Sequence, residues 1–284
     1  MSEFRVGTAQ ALGLRVRYYE AGEQGFPVIL LHGGGTDSAL LSWRLAIPAL
    51  AKSHRVLAPD WPGYGESEIF RSAYSFEQMR AWLESLMDQW GLDQADLVGI
   101  SMGGGGALSI ALERPDRVRR LVLVDSYGLA DRVAYHRMSY WFVKIPWLVN
   151  WSWALIRRSR RLARWSLAAI FGDARNISDE LADEVFQAIQ STDGQRAFGE
   201  FQRAEMLPDR LRTCYMDRLE EIHSPTLVIH GERDTLVPLS AAREAARRIP
   251  GARLEVIPKA GHWPMREYPD QFNRLVDEFL SLLA

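Results

Sequence analysis

The sequence has little of several features that would point to particular classes of protein. Its 284 residues include a single cysteine, Cys214, so no internal disulfide can form and a reducing compartment is expected. Residues 1–5 begin with a polar strand and lack the apolar stretch of a secretory signal, which predicts a cytoplasmic protein. The net charge is only −2, so the overall charge balance gives no reason to expect a nucleic-acid partner.

Motifs for binding metals and nucleotides are also missing. The sequence contains no H-E-x-x-H motif and no Cys–His cluster, and four histidines lack a partner at the spacing of metal ligands: His54, His136, His223 and His230. The glycine run 103–106 is not followed by Lys-Ser/Thr, and no G-x-G-x-x-G occurs. We therefore expect no metal and no other cofactor, and we expect the glycine run to serve close packing of a helix on a sheet.

What the sequence does contain is an alternation of apolar strands and amphipathic helices. Seven segments read as strands: 15–20, 28–32, 55–59, 96–100, 120–125, 226–231 and 253–257. Helical spacing of apolar residues marks segments 75–90 and 269–283. The pattern predicts an α/β protein whose mostly parallel sheet is covered by helices on both faces. With 47% hydrophobic residues, the chain can form one large core with an insertion or two small domains.

The most informative run is 97–104, in which an apolar strand leads directly into a serine flanked by glycines. Gly99 and Gly103 lie two residues before and two residues after Ser101. A serine at so tight a strand-to-helix turn needs strained backbone geometry, so its neighbours must lack bulk and its hydroxyl is left exposed to a substrate. We predict that Ser101 is a nucleophile.

A serine hydroxyl needs a base and an orienting carboxylate, and both follow in the chain. Asp234 comes after the predicted strand 226–231, and His262 comes after the predicted strand 253–257. The order Ser101, Asp234, His262 is that of the α/β-hydrolases, and on these residues the chain resembles that superfamily. The resemblance implies an acyl-enzyme formed on Ser101. Asp125, at the end of the strand 120–125, is the alternative acid.

A glycine run near the amino terminus extends this resemblance. His32 and the three glycines after it are similar to the HGGG element of the superfamily. The main-chain N–H groups of Gly34 and Met102 are then expected to form the oxyanion hole, with His32 in a structural role. Three further residues are expected to contact the substrate: Gly33, Gly35 and Trp263.

Strand signals vanish between about residues 129 and 222, where the superfamily inserts its cap. We therefore predict a core at 1–128 and 223–284 and a helical cap at 129–222, rich in tryptophan and arginine. The apolar segment 138–156 is interrupted by Lys144, Pro146 and Asn150, whereas a spanning helix needs about 20 apolar residues. Stable membrane insertion is not expected; a lid over the site is favoured, and transient interfacial contact is the minor alternative.

Two subgroups of the superfamily compete for the function. Residues 42–50 and 261–275 look like the hydrolases that cleave carbon–carbon bonds in aromatic ring-fission products. That subgroup usually carries asparagine before the nucleophile and a carboxylate-binding arginine in the cap, where this chain has Ile100 and Val185. Arg196 and Arg203 are the candidates for a replacement cation.

Because ester hydrolysis needs neither of these groups, the sequence favours a carboxylesterase for apolar substrates. The carbon–carbon hydrolase is the alternative, and a non-catalytic binding protein of hydrolase fold is the third reading. The expected partner is a small-molecule substrate, and a homodimer remains open.

Overall fold

The computed structural model describes residues 4–71 and 74–282, and an eight-stranded mixed sheet is at its centre. The strand order is β1-β2-β4-β3-β5-β6-β7-β8, and all pairs from β4 onward in this order are parallel. The strands are β1 Arg5–Ala11, β2 Leu14–Ala21, β3 Pro27–Leu31, β4 Arg55–Pro59, β5 Ala95–Ile100, β6 Val118–Val124, β7 Thr226–Gly231 and β8 Arg253–Ile257.

All seven strands in the predicted set are present, with ends that differ by a few residues. The eighth, β1, is the polar strand at the amino terminus, and it pairs antiparallel with β2 at the edge of the sheet. Its side chains are mostly exposed, so it lacks the apolar run that marks the inner strands. The predicted α/β class with a mostly parallel sheet is confirmed.

Helices cover both faces of the sheet. They are α1 Ala39–Trp43, α2 Ile47–Leu50, α3 Phe76–Gln89, α4 Met102–Glu113, α5 His136–Val143, α6 Pro146–Arg157, α7 Arg160–Ala168, α8 Asp179–Ala188, α9 Asp193–Glu205, α10 Leu239–Arg248, α11 Pro264–Glu267 and α12 Pro269–Leu280. Helix α3 begins after Ser75, whose hydroxyl accepts a hydrogen bond from the main-chain N–H of Gln78 at 3.2 Å. The predicted last helix ended at Leu283, which lies outside the described residues.

Alternate side chains of the strands enter two separate cores. Ile29 and Leu31 of β3 join a core that includes residues of α3 and α4. Val28 and Leu30 point to the other face, where α1 and α12 pack. Because both faces of the inner strands are covered, these strands read as continuous apolar runs rather than as alternating patterns.

Between β6 and β7 the described chain forms the helices α5 to α9 and only one isolated β-bridge, Met206 to Leu211. Side chains from this insertion contribute to both cores, including Phe201 to one and Leu167 to the other. The division into core and cap at residues 129 and 222 stays a prediction. Among the described residues, no helix has the length and the apolar character that crossing a membrane requires.

Candidate active site

Ser101 lies at the turn between β5 and α4 in a strained backbone conformation, with φ +50° and ψ −119°. Main-chain hydrogen bonds hold it there. Its N–H donates to the carbonyl of Val124 at 3.0 Å, and its carbonyl accepts from Gly105 and Tyr127, each at 3.0 Å. A non-glycine residue persists at positive φ only when its surroundings enforce the conformation, and such strain is concentrated at functional sites.

The glycines beside Ser101 leave no room for a side chain. A Cβ on Gly99 would lie 2.4 Å from the carbonyl oxygen of Gly103, and one on Gly103 would lie 2.2 Å from that of Leu31. Further along α4, a Cβ on Gly105 would lie 2.6 Å from the ring of Phe76. The glycine run therefore allows α4 to pack closely against the sheet and α3, as expected.

His262 and Asp234 meet at the carboxyl ends of their strands. The Nδ1 of His262 lies 2.8 Å from the Oδ2 of Asp234, whose Oδ1 accepts hydrogen bonds from the N–H groups of Leu236 at 2.7 Å and Val237 at 3.2 Å. Burial on its own raises the pKa of Asp234, but attraction to His262 and these hydrogen bonds outweigh it and leave the pKa lowered. A charged Asp234 is suited to orient the imidazole.

Asp125, the alternative acid, lies behind this pair. It is fully buried at φ +42°, and its Oδ1 accepts a hydrogen bond from Gly231 N–H at 2.9 Å and lies 3.3 Å from the Nδ1 of His230. Burial, and then the charge of Asp234, raise the pKa of Asp125 well above its usual value. The charged form of Asp125 is therefore disfavoured, and its position behind Asp234 favours a supporting role over that of the triad acid.

Asp125, Asp234 and His262 also place potential metal-ligand atoms within 4.8 Å of one another. The Nδ1 of His262 is already hydrogen-bonded to Asp234, and the raised pKa of Asp125 disfavours the charged form that a metal ion would need. A chain of hydrogen bonds accounts for this donor set better than a metal does.

The loop after β3 is held by a buried carboxyl that sequence reasoning missed. The Oδ2 of Asp37 accepts a hydrogen bond from Gly33 N–H at 2.7 Å, and its Oδ1 accepts from Ser38 N–H at 2.8 Å. Ser42 donates its hydroxyl to the same carboxyl at 2.8 Å. Since Asp37 already binds the N–H of Gly33, the N–H of Gly34 remains the expected donor to an oxyanion.

His32 has the structural role expected of it. Its Nε2 accepts a hydrogen bond from Trp61 N–H at 3.0 Å, and its Nδ1 lies 2.8 Å from the carbonyl oxygen of Gly33. Burial lowers the pKa of His32 to about 3, so the ring is neutral. The neutral ring ties the glycine loop to the turn after β4.

The predicted site residues surround one cavity of about 450 Å³. Seven of the eight line it, namely Gly33, Gly34, Gly35, Ser101, Met102, His262 and Trp263. Asp234 lies behind His262. The insertion supplies the opposite wall, which is mostly apolar and includes Trp153, Ile156, Leu167, Val185, Phe198 and Phe201. The structure thus brings the sequence-predicted residues together, although their chemical roles stay predictions.

The charged groups of the cavity are acidic. No lysine or arginine is among its lining residues in the described parts of the chain, whereas Asp37 and Glu205 are. Glu205 is 1% exposed and accepts hydrogen bonds from the hydroxyl of Tyr127 and the N–H of Thr213, each at 3.1 Å. Burial raises the pKa of Glu205. Periodicity alone did not indicate this residue, because a polar position near a helix end usually faces solvent.

The expected replacement cations do not reach the cavity. Arg196 pairs with Glu200 at 3.1 Å, and it lines a separate cleft together with Arg203 and Arg157. Both candidates therefore face the other side of α9, and the expectation that one of them supplies the missing cation is wrong. Val185, which stands where the carbon–carbon hydrolases usually carry arginine, does line the cavity.

Known proteins match this chain over most of its length. The family described as alpha/beta hydrolase fold matches residues 27–267. The chain is 36% identical over 283 residues to a 2-hydroxymuconate semialdehyde hydrolase of Pseudomonas sp. strain CF600, covering 95% of this chain and 92% of that protein. A 2-hydroxy-6-oxo-2,4-heptadienoate hydrolase of Pseudomonas putida strain F1 is 31% identical over 278 residues, covering 95% and 94%.

The fold is also similar to that of a solved structure. The meta-cleavage product hydrolase from Pseudomonas fluorescens IP01 superposes with a TM-score of 0.81 at 31% identity, covering 98% of this chain and 97% of that one. On the family match and these relatives, the chain belongs to the α/β-hydrolase fold family.

Proposed function

We propose that this protein is a serine hydrolase that cleaves a carbon–carbon bond in a meta-cleavage ring-fission product. The observation that carries the proposal is the 36% identity, over 95% of the chain, to a hydrolase of 2-hydroxymuconate semialdehyde. The hydrolase of 2-hydroxy-6-oxo-2,4-heptadienoate, at 31% identity, supports the same substrate class. The proposal replaces the carboxylesterase favoured from the sequence alone.

Ser101 is the nucleophile in this proposal. His262 removes the proton from its hydroxyl as the oxygen adds to the carbonyl carbon beside the scissile bond, and Asp234 stabilises the imidazolium that forms. The N–H groups of Gly34 and Met102 bind the resulting oxyanion. The carbon–carbon bond then breaks, and the leaving carbon takes the proton from His262. Water, activated by His262, releases the acyl group from Ser101.

This chemistry restricts the substrate. A carbon leaving group is far more basic than an alkoxide, so it departs only when a conjugated carbonyl accepts its electron pair. Ring-fission products that tautomerise to a keto form carry such a carbonyl. The apolar cap wall, with Phe198 and Phe201, suits the hydrocarbon part of such a molecule.

Ester hydrolysis is the second candidate, and one observation favours it. A dienoate carries a carboxylate, yet the described lining of the cavity offers it no cation, and Ile100 and Val185 stand where related enzymes are expected to carry asparagine and arginine. An apolar ester needs neither group. The acidic side chains Asp37 and Glu205 supply no positive charge either, and burial raises the pKa of Asp37 to about 7 and also raises that of Glu205.

The deciding experiment compares two substrates on one preparation of enzyme. The value of kcat/KM is measured for a ring-fission dienoate, followed by its loss of absorbance, and for a medium-chain nitrophenyl ester. We expect the dienoate value to exceed the ester value by at least about tenfold, on the scale at which a specific pocket discriminates substrates. The Ser101→Ala variant serves as the control for background reaction. A higher value for the ester would assign the protein to the second candidate.

A further inference from the structure

The helices α5, α6 and α7 expose far more apolar surface than the rest of the molecule. Of thirteen large hydrophobic side chains that are exposed in the described residues, eight lie between Tyr135 and Trp165. Four of them are tryptophans that expose more than half of their surface: Trp141 at 63%, Trp147 at 70%, Trp151 at 60% and Trp165 at 72%. Single exposed hydrophobic residues are ordinary, but a concentration of this kind marks a binding surface.

Helix α6 has apolar side chains on two opposite faces, and only one of these faces is buried. Its inner stripe, Val149, Trp153 and Ile156, is buried or lines the catalytic cavity. Its outer stripe, with Trp147, Trp151 and Leu155 at four-residue spacing, is exposed. A helix that is apolar on both faces normally has a partner on each face.

The same segment carries cations only. Residues 132–172 contain no aspartate or glutamate and eight lysines or arginines, in a chain whose net charge is −2. Arg160 and Arg164 pair with Asp179 of α8, and Arg132 pairs with Asp131. Within the described ranges, no carboxylate pairs with Arg137, Arg158 or Arg161.

These cations share faces with the exposed aromatic residues. Arg137 and Trp141 are four residues apart on α5, as are Arg161 and Trp165 on α7. Arg158, the residue directly after α6, is exposed three positions beyond Leu155. The helices contact one another in series, α5 with α6 and α6 with α7. The exposed tryptophans and unpaired arginines of these three neighbouring helices are together called the Trp/Arg face.

We propose that the Trp/Arg face binds the surface of an anionic lipid bilayer. Tryptophan rings favour the headgroup region of a bilayer, and arginines bind its phosphates and are attracted to its negative surface potential. The alternative of a symmetric homodimer would bring two unpaired clusters of arginines together, which like-charge repulsion disfavours. The binding is peripheral and does not depend on which bond the enzyme cleaves.

The Trp/Arg face lies close to the cavity, because α6 contributes to both. The inner stripe of α6 lines the cavity, and its outer stripe belongs to the Trp/Arg face. The thickness of α6 therefore separates the bilayer from the cavity. An apolar ester, the second candidate substrate, would be concentrated beside the cavity if it partitions into the lipid, whereas an anionic dienoate would not.

The test is flotation of the full chain with vesicles of phosphatidylcholine alone or with 30% phosphatidylglycerol added. We expect binding to the anionic vesicles only, and weaker binding as salt increases. Replacing Arg137, Arg158 and Arg161 together by glutamine is expected to lower the partition coefficient about 100-fold, because each cation near an anionic bilayer contributes about a factor of five. Replacing Trp147, Trp151 and Trp165 together by serine is expected to abolish binding.

Matched controls separate this proposal from general effects. Arg243, Arg247 and Arg274 are exposed arginines of α10 and α12, and their triple glutamine variant is expected to bind vesicles like the wild type. All variants are expected to hydrolyse a water-soluble substrate normally, since no substituted residue lines the cavity. The proposal is overturned if the wild type does not float with anionic vesicles, or if the two arginine variants bind equally. It is also overturned if the tryptophan variant only converts a dimer to a monomer in light scattering.

Discussion

The cavity has two walls that are held in place in different ways: a core wall formed by the loops after β3 and β5, and a cap wall formed by the insertion between β6 and β7. On the core side, the backbone is fixed in detail: Ser101 is at positive φ, and the glycine loop is tied by Asp37 and His32. On the cap side, side chains of α6 to α9 fill the wall by apolar packing. From this difference we expect the wall with the fixed backbone to carry the chemistry and the wall of packed side chains to select the substrate.

The largest expected effect comes from the rigid wall. Ser101→Ala should reduce kcat on the order of 10⁴- to 10⁶-fold while leaving the fold intact, because only the nucleophile is lost. The measurement is kcat with both the dienoate and the ester, with thermal unfolding as the check on folding. More than a tenth of wild-type activity in the variant would show that Ser101 is not the nucleophile.

The two buried carboxyls behind His262 provide the next contrast. Asp234→Asn should reduce kcat by about 10⁴-fold, because an amide cannot orient the imidazole and stabilise its charged form. Asp125→Asn should cost far less, since Asp234 rather than Asp125 is hydrogen-bonded to His262, and the raised pKa of Asp125 already disfavours the charge that asparagine lacks. Steady-state kinetics of the two purified variants decides between them, and the reverse ranking would make Asp125 the triad acid.

The cap wall is expected to change selectivity rather than chemistry. Val185→Arg should raise the ratio of kcat/KM for the dienoate to that for the ester by about tenfold or more, because a charge-assisted hydrogen bond to a carboxylate contributes about 1.5–3 kcal/mol. Val185→Met, which is long but uncharged, is the matched control. Equal changes in both variants would mean that the size of side chain 185, not its charge, changes the selectivity.

The smallest effect concerns the length of the acyl chain. For a series of nitrophenyl esters, kcat/KM should rise by about three- to fourfold for each added methylene, since each one buried contributes about 0.8 kcal/mol. The rise should stop when the cavity of about 450 Å³ is full. A flat series would indicate that the acyl group does not enter the cap.

Sequence reasoning succeeded where the evidence is local. The strand β5, the turn at Ser101 and the glycines of α4 are contiguous, and their strained geometry admits few residue types. The same applies to the loops that carry Asp234 and His262, which directly follow apolar strands. Strand β1 was harder to place, because an exposed edge strand carries no apolar run.

The sequence did not reveal which side chains line the cavity where this depends on the direction that a helix face points. Arg196 and Arg203 are close in the chain to Phe198 and Phe201, which line the cavity, yet both arginines lie on the opposite side of α9. The burial of Glu205 likewise depends on its contact with Tyr127, 78 residues away in sequence, as well as on Thr213, eight residues further along the chain.

The sequence by itself determined the α/β class, the chain order of the predicted nucleophile, acid and base, and the strained turn at Ser101, because each of these elements is encoded by a short local pattern. Only the tertiary structure decided that the pKa of Asp125 is raised beside Asp234, that the lining of the cavity in the described chain includes acidic residues but no lysine or arginine, and that four tryptophans of α5 to α7 face outward. Burial and side-chain direction arise from contacts between distant segments. No local pattern specifies them.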